Sequence, residues 1–355
     1  MKNKMVIVLV IVVFVFCFEI LNIINKNKQQ YVIYDGMMLA LSLDGSSITS
    51  FPERGAYNIE IDCGDTAKGK WLAEEWKLAI EDITGNVKCN IDFTTNPLTL
   101  KSRVEFENQT NNNGNRYVGK NPDNWLWFNK EKWRIIGSVP TTLADGTEIN
   151  LVKIIRSKSL GTLAFNSTDS VVTWGDNSLY TLLNEKYYGK SDATGLTPCF
   201  SKGTTIGALC NYVQVGISDS STDYYGRMLK DVYWNVGKSN TSSDLSTVYS
   251  DEIGTKSSIT GKVGLINASD WAYAAEGTPD SKRLNSYFWS WLDCGFGWTI
   301  TPYGNSTLII VDYGGHIMTR SAEFGYSVHP VVYLDPSVYI VSGDGTEGNP
   351  YQIAM

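Results

Sequence analysis

Residues 325–355 read GYSVHPVVYLDPSVYIVSGDGTEGNPYQIAM. Apolar and polar residues alternate up to a Ser-Gly-Asp-Gly turn at 342–345, the period-two pattern of strands with one buried face. This predicts a β-hairpin or a pair of end strands, and so a domain that closes on strands. The same pattern runs back through the chain. RYVGKNPDNWLWFNKEKWRIIGS (116–138) holds an aromatic strand, an Asn-Lys-Glu-Lys turn and a second strand. TTLADGTEINLVKIIRS (141–157) adds a hairpin around Asp145-Gly146. With 11 Trp, 20 Tyr and 32 Gly, the composition also leans to β structure rich in turns.

The clearest helix signal is WGDNSLYTLLNEKYYG (174–189), with Leu179, Leu182, Leu183 and Tyr187 on one face and Asp176 or Asn177 placed as N-cap. Residues 190–258, rich in Ser, Thr, Gly and Asp, read as a long insertion with little regular structure. Further towards the N-terminus, 31–95 reads as a small β-sandwich-like module with turns at Asp35-Gly36 and Asp44-Gly45. Within it GKWLAEEWKLAIED (69–82) favours strand over a short helix. The polar stretch 96–115, Asn-rich at its end, reads as a linker, and a second domain covers 116–355. The fold class expected is α+β, mainly β.

Residues 1–30 are of a different kind. Lys2 and Lys4 precede an apolar run from Met5 to Phe18 that continues with little interruption to Ile24, close to the ~20 residues that span a bilayer. No small-residue cleavage site follows, which favours an uncleaved signal-anchor with Lys2 and Lys4 cytoplasmic and the rest of the chain outside the cell. A secreted form follows if the segment is cleaved. Lipidation at Cys17 is disfavoured by Phe16, where a small residue is needed. Outside the cell, disulfides are permitted. Cys63–Cys89 and Cys199–Cys210 are the simplest local pairings, with Cys294 left over and buried free thiols as the alternative. A net charge of −7 disfavours a nucleic-acid partner.

The phrases at 116–138, WGDNSLYTLLNEKYY (174–188), VGLINASDWAYAA (263–275), WTITPYG (298–304) and 325–353 occur in an order that resembles a family of exported surface proteins of Gram-positive, largely gut-associated bacteria. The resemblance implies a C-type-lectin-like domain over 116–355, preceded by a small β-domain. Such a domain brings its first and last strands together. One departure stands out: His329 occupies the position where the family carries Arg, and His cannot hold a carboxylate bidentately.

Signals for chemistry are sparse. The only histidines, His316 and His329, lie far in sequence from any nucleophile motif, and Gly325-Tyr326-Ser327-Val328-His329 lacks the last Gly of a nucleophile elbow. Neither Asp344 with Glu347 nor Asp219 with Asp223 has calcium-loop spacing. No cofactor and no metal is therefore expected, and the reading is a non-enzymatic one. What remains is an aromatic cluster with polar residues between: Trp271, Tyr273, Trp289, Trp291, Trp298, Tyr303, Asp312, Tyr313 and His316 are the candidate ligand-binding residues. With Trp289 and Trp291 on one side of a strand, the expected function is cell-surface recognition of an extracellular glycan or protein, in adhesion for example. A structural envelope component with all its aromatics buried is the competing reading, and an enzyme acting on surface glycans or peptides is the third.

Overall fold

The computed structural model describes residues 31–355 except 35, 54–56, 74, 96–98, 109, 112, 168–172, 189–198, 202–203, 207–216, 218–223, 287, 293–296 and 313. Residues 1–30, expected as a signal-anchor, lie outside the described residues, as do Cys210 and Cys294 and therefore the expected Cys199–Cys210 bridge. No helix among the described residues is long and apolar enough to cross a membrane. The chain is mainly β and divides into two units, Met1–Pro97 and Leu98–Met355.

In the first unit a five-stranded sheet joins β1 (Tyr31–Tyr34), β2 (Met37–Leu43), β3 (Ser46–Ile48), β4 (Asn58–Asp62) and β7 (Lys88–Thr94). β2 and β7 run parallel at its centre. Asp44 and Gly45 both take left-handed φ, the geometry a two-residue hairpin turn demands. β5 (Lys68–Leu72) and β6 (Lys77–Glu81) form a separate hairpin, the strand outcome expected for 69–82. Trp71 is buried against Phe51, Trp76 and Phe93, each met edge-on, so aromatic packing supplies much of a small core. A Cys63–Cys89 disulfide links the end of β4 to β7.

The second unit begins inside the stretch expected as a linker. Residues 96–115 carry α1 (Leu100–Glu107), capped by the Thr99 hydroxyl, and the short strands β8 (Thr110–Asn111) and β9 (Gly114–Arg116). Leu100 and Val104 are one turn apart and fully buried, which anchors a helix whose other side chains are mostly polar. A ten-stranded sheet follows. Its spine places β10 (Trp125–Phe128) between β11 (Glu131–Leu143) and β24 (Tyr351–Ala354). β12 (Glu148–Arg156) lies on the far side of β11, and β22 (Val331–Tyr333) beyond it. β23 (Tyr339–Ser342) pairs antiparallel with β24, and β24 runs parallel to β10. The closing stretch is therefore a pair of end strands beside the first strand of the hairpin at 125–143. Gly343 and Gly345 turn it with left-handed φ, and a Cβ at Gly345 would come within 2.5 Å of the Asp123 carbonyl.

The short strands β13 (Thr162–Ala164), β14 (Cys199–Ser201), β15 (Thr204–Ile206), β16 (Val232–Tyr233) and β17 (Val263–Gly264) follow β12, and a second, five-stranded sheet runs in the order β13, β21 (Gly325–Ser327), β18 (Gly297–Pro302), β19 (Thr307–Val311) and β20 (Ile317–Ser321). The helix expected over 174–189 starts at Ser178 behind the Asn177 cap and runs to Tyr187, its last six residues as a π-helix. The part of 190–258 that is described is more ordered than an insertion. It includes α2 (Leu245–Ile253), which puts Leu245, Val248 and Glu252 into the core.

Replacing Cys63 and Cys89 together by Ser opens a loop of 26 residues. The expected loss is ~3.5 kcal/mol from the first unit, by the chain-entropy relation. Calorimetry of the full-length protein reads it as a lower-melting transition, and melting equal to wild type would show the bridge to be idle.

Candidate functional site

Hairpin register builds one site on the second unit. β10 and β11 are joined by a two-residue turn, Asn129 and Lys130, both at left-handed φ, so Trp125 stands directly across from Arg134. Arg134 is in turn paired with Ile155 on β12. Because strand residues alternate faces, Leu126, Phe128, Trp133 and Ile135 point into the core, and the Trp125–Arg134–Ile155 row forms the other face. Trp291 reaches this row from a loop, held by its backbone N–H to Gly119 O and its indole N–H to Tyr117 O at 2.9 Å. The Arg134 guanidinium lies 4.4 Å from the centre of the Trp125 ring and 4.5 Å from that of Trp291. Two indole faces thus clasp one cation.

Beside this stack is a recess of about 130 Å³, lined by Trp125, Arg134, Arg156, Ser157, Trp291 and His329, with the apolar Ile155 and Leu292. Arg134 donates from Nε to Asn124 Oδ1 and from Nη2 to Pro122 O. Burial pulls its pKa down to about 10, still far enough above neutrality to keep the charge. Arg156 is spent on structure: Nε and Nη2 hold Glu131 bidentately and Nη1 donates to Lys158 O and Ser159 O. Nδ1 of His329 lies 3.0 Å from Arg156 O, and since a carbonyl only accepts, this nitrogen carries the proton.

The structure scatters the residues expected to bind ligand. Trp271 is fully buried against Phe288, and Tyr273 is buried with its hydroxyl on Asp280. Trp298 is buried with its N–H on Leu163 O, because β18 is the middle strand of its sheet and is covered on both faces. Residues 288–292 are not a strand, so Trp289 and Trp291 part company: the first is 63% exposed and the second 9%. Tyr303 is exposed, and Asp312 accepts the backbone N–H of the exposed His316, whose ring is 3.6 Å away. Tyr313 lies outside the described residues. Of the eight that are described, Trp291 alone joins the recess. Its partners Trp125 and Arg134 lie in the phrase at 116–138 that carries the family resemblance, but only a correctly placed two-residue turn would have set them opposite each other.

A second cluster is buried. Asp270, on α3 (Ala268–Tyr273), accepts Arg116 Nη1 at 2.6 Å, Lys153 Nζ at 2.5 Å and the Asn267 backbone N–H at 2.9 Å. Burial opposes its charge, but Lys153 and Arg116 outweigh it and bring the carboxyl down to about 2. Lys153, equally buried, has its pKa raised, Asp270 overcoming desolvation. Nearby, Glu252 on α2 accepts the Ser269 and Thr301 hydroxyls, yet burial, with the Asp270 charge, lifts its pKa to about 7. Titration near neutrality suits a general acid or base. The space beside it, about 10 Å³, is the size of one water molecule and takes no substrate. Among the described residues no group of three or more His, Cys, Asp or Glu side chains could hold a metal ion.

No family model, curated protein or solved structure matches the chain.

Glu252 binds its proton more tightly folded, at about 7, than at its ordinary value of 4.5, so its stabilising effect is full below 4.5 and lost as pH rises to 7. The loss is on the order of 3 kcal/mol. Glu252→Gln is expected to flatten that part of the pH–stability curve and to melt above wild type at pH 8. Parallel curves for the two proteins would contradict it. Lys153→Met, which leaves Asp270 with one cation, is expected to cost about 3–5 kcal/mol in denaturant unfolding.

Proposed function

We infer that this is an exported protein held at the cell surface by residues 1–30, with a β-sandwich-like spacer over 31–95 and a C-type-lectin-like domain over 116–355. That domain binds an extracellular glycan or protein ligand without transforming it. The observation that carries the reading is the recess at Trp125, Arg134 and Trp291, where two indoles and a cation are held at the surface by register and side-chain bonds. Pre-organised aromatic and polar groups of this kind suit recognition, since little entropy is lost when a ligand settles on them. The parallel pairing of β24 with β10 supports the lectin-like assignment, as that class joins its end strands. The burial of Trp271, Tyr273 and Trp298 favours a second reading, a structural envelope component.

The test is capture of glycans and surface proteins on a mixed array by the full-length protein purified in detergent. Binding is expected, with at least a tenfold loss for Trp125→Ala of wild-type melting temperature. Silence from folded protein would favour the structural reading.

A further inference from the structure

We propose that the recess beside Arg134 receives the carboxylate of an acidic sugar. This deepens the recognition reading and rests on it. Among the described residues the two buried guanidinium groups, unlike that of the half-buried Arg134, already hold carboxylates, Arg116 that of Asp270 and Arg156 that of Glu131. Arg134 holds none: its protein partners are a side-chain amide oxygen, a backbone carbonyl and two indole faces. All of these are neutral. Two of its nitrogens are engaged, and Nη1 has no protein acceptor among the described residues. A charged group left on neutral partners beside an open recess is a standing demand for an anion.

Among the described residues no carboxylate lines the recess, and the acidic charge felt by Arg134 is that of Glu347, which makes its ion pair with Lys132 at 3.5 Å instead. The clasp by Trp125 and Trp291 fixes the guanidinium plane before a ligand arrives, so a planar carboxylate meets a planar donor edge without rotamer cost. At about 130 Å³ the recess has room for a carboxylate and the adjoining part of a ring, the rest of the ligand staying outside. Besides the cation the lining offers a hydroxyl, Ser157, an imidazole, His329, two indoles and the apolar Ile155 and Leu292. Hydroxyls and C–H faces of a sugar ring find partners there. Capture of a peptide C-terminus, by contrast, uses nests of backbone N–H groups, and the carboxylate-facing group here is a side chain.

Full-length protein is titrated with glucuronate, its methyl ester, glucose and an N-acetylated tripeptide with a free C-terminus, followed by calorimetry and tryptophan fluorescence. Glucuronate is expected to bind at least tenfold more tightly than its ester or glucose, with affinity falling as salt is added. Arg134→Gln is expected to remove that preference at least tenfold and Arg134→Lys to keep part of it, both at wild-type melting temperature. If either variant melts early, the ester comparison on wild type decides alone. Equal binding of glucuronate and ester overturns the proposal, as does tighter binding of the tripeptide. Array capture of neutral glycans that Trp125→Ala abolishes, together with equal binding of acid and ester, overturns the carboxylate and leaves recognition standing. Array silence from folded protein, with no glucuronate binding, overturns both.

Discussion

Both oxygens of the Asp270 carboxylate are taken by cations from distant parts of the chain, Arg116 on β9 and Lys153 on β12, while the second oxygen also accepts the Asn267 N–H that opens α3. Sheet and helix are therefore tied through one buried side chain. An ion cluster in this setting gains little over apolar packing of the same volume, because desolvating its members offsets their attraction. Its force lies in what it forbids. Any packing that parts α3 from β12 strands a charge in the core, and that penalty falls on every alternative arrangement of the unit. Glu252 adds to the same constraint from α2, bonding Ser269 on α3 and Thr301 on β18, so the ten-stranded sheet and the five-stranded sheet of β18 meet at one polar centre.

The recess lies on the solvent side of the ten-stranded sheet, and its precision comes from the core side. Trp133 and Ile135 are fully buried, which fixes the face on which Arg134 emerges. Past Ile135 the ladder shifts by one residue, and Gly137 sits where a Cβ would lie 2.2 Å from Asn115 O, so β9 can approach β11 closely. At the other end, Trp125 N–H donates to Gly345 O in the closing turn. The clasp on Arg134 is thus braced by the first strands, the last turn and the loop that carries Trp291.

Much of this architecture is legible in the sequence. Alternation predicted the end strands and the hairpins at 125–143 and 141–157, and Asn177 ahead of Leu179, Leu182 and Leu183 predicted the helix start. The proximity of Cys63 and Cys89 predicted their bridge. Within 96–115, expected as a linker because composition reports average polarity, two apolar residues one turn apart, Leu100 and Val104, are enough to dock a short helix. The strand that would put Trp289 and Trp291 on one side is not formed over 288–292, for a related reason. Aromatic enrichment is shared by strands and by loops that fold over a core, and backbone bonds to Gly119 and Gly315 set this one as a loop.

Local chemistry thus determined the β class, the turns, the staple and the helix cap, since each depends on residues close in sequence. The sites were decided by tertiary structure. A four-residue turn at 129–132 would set Trp127 opposite Arg134; the two-residue turn at 129–130 sets Trp125 there, and only the assembled ladder selects between them. Glu252 could have been noticed as an acid on the apolar face of Leu245 and Val248, and Asp270 as the third residue after the cap at Asn267. That Arg116, Lys153 and Glu252 would all gather at Asp270 required contacts across up to 154 residues of chain. Burial, which lifts the proton affinity of Glu252, belongs to the folded state alone.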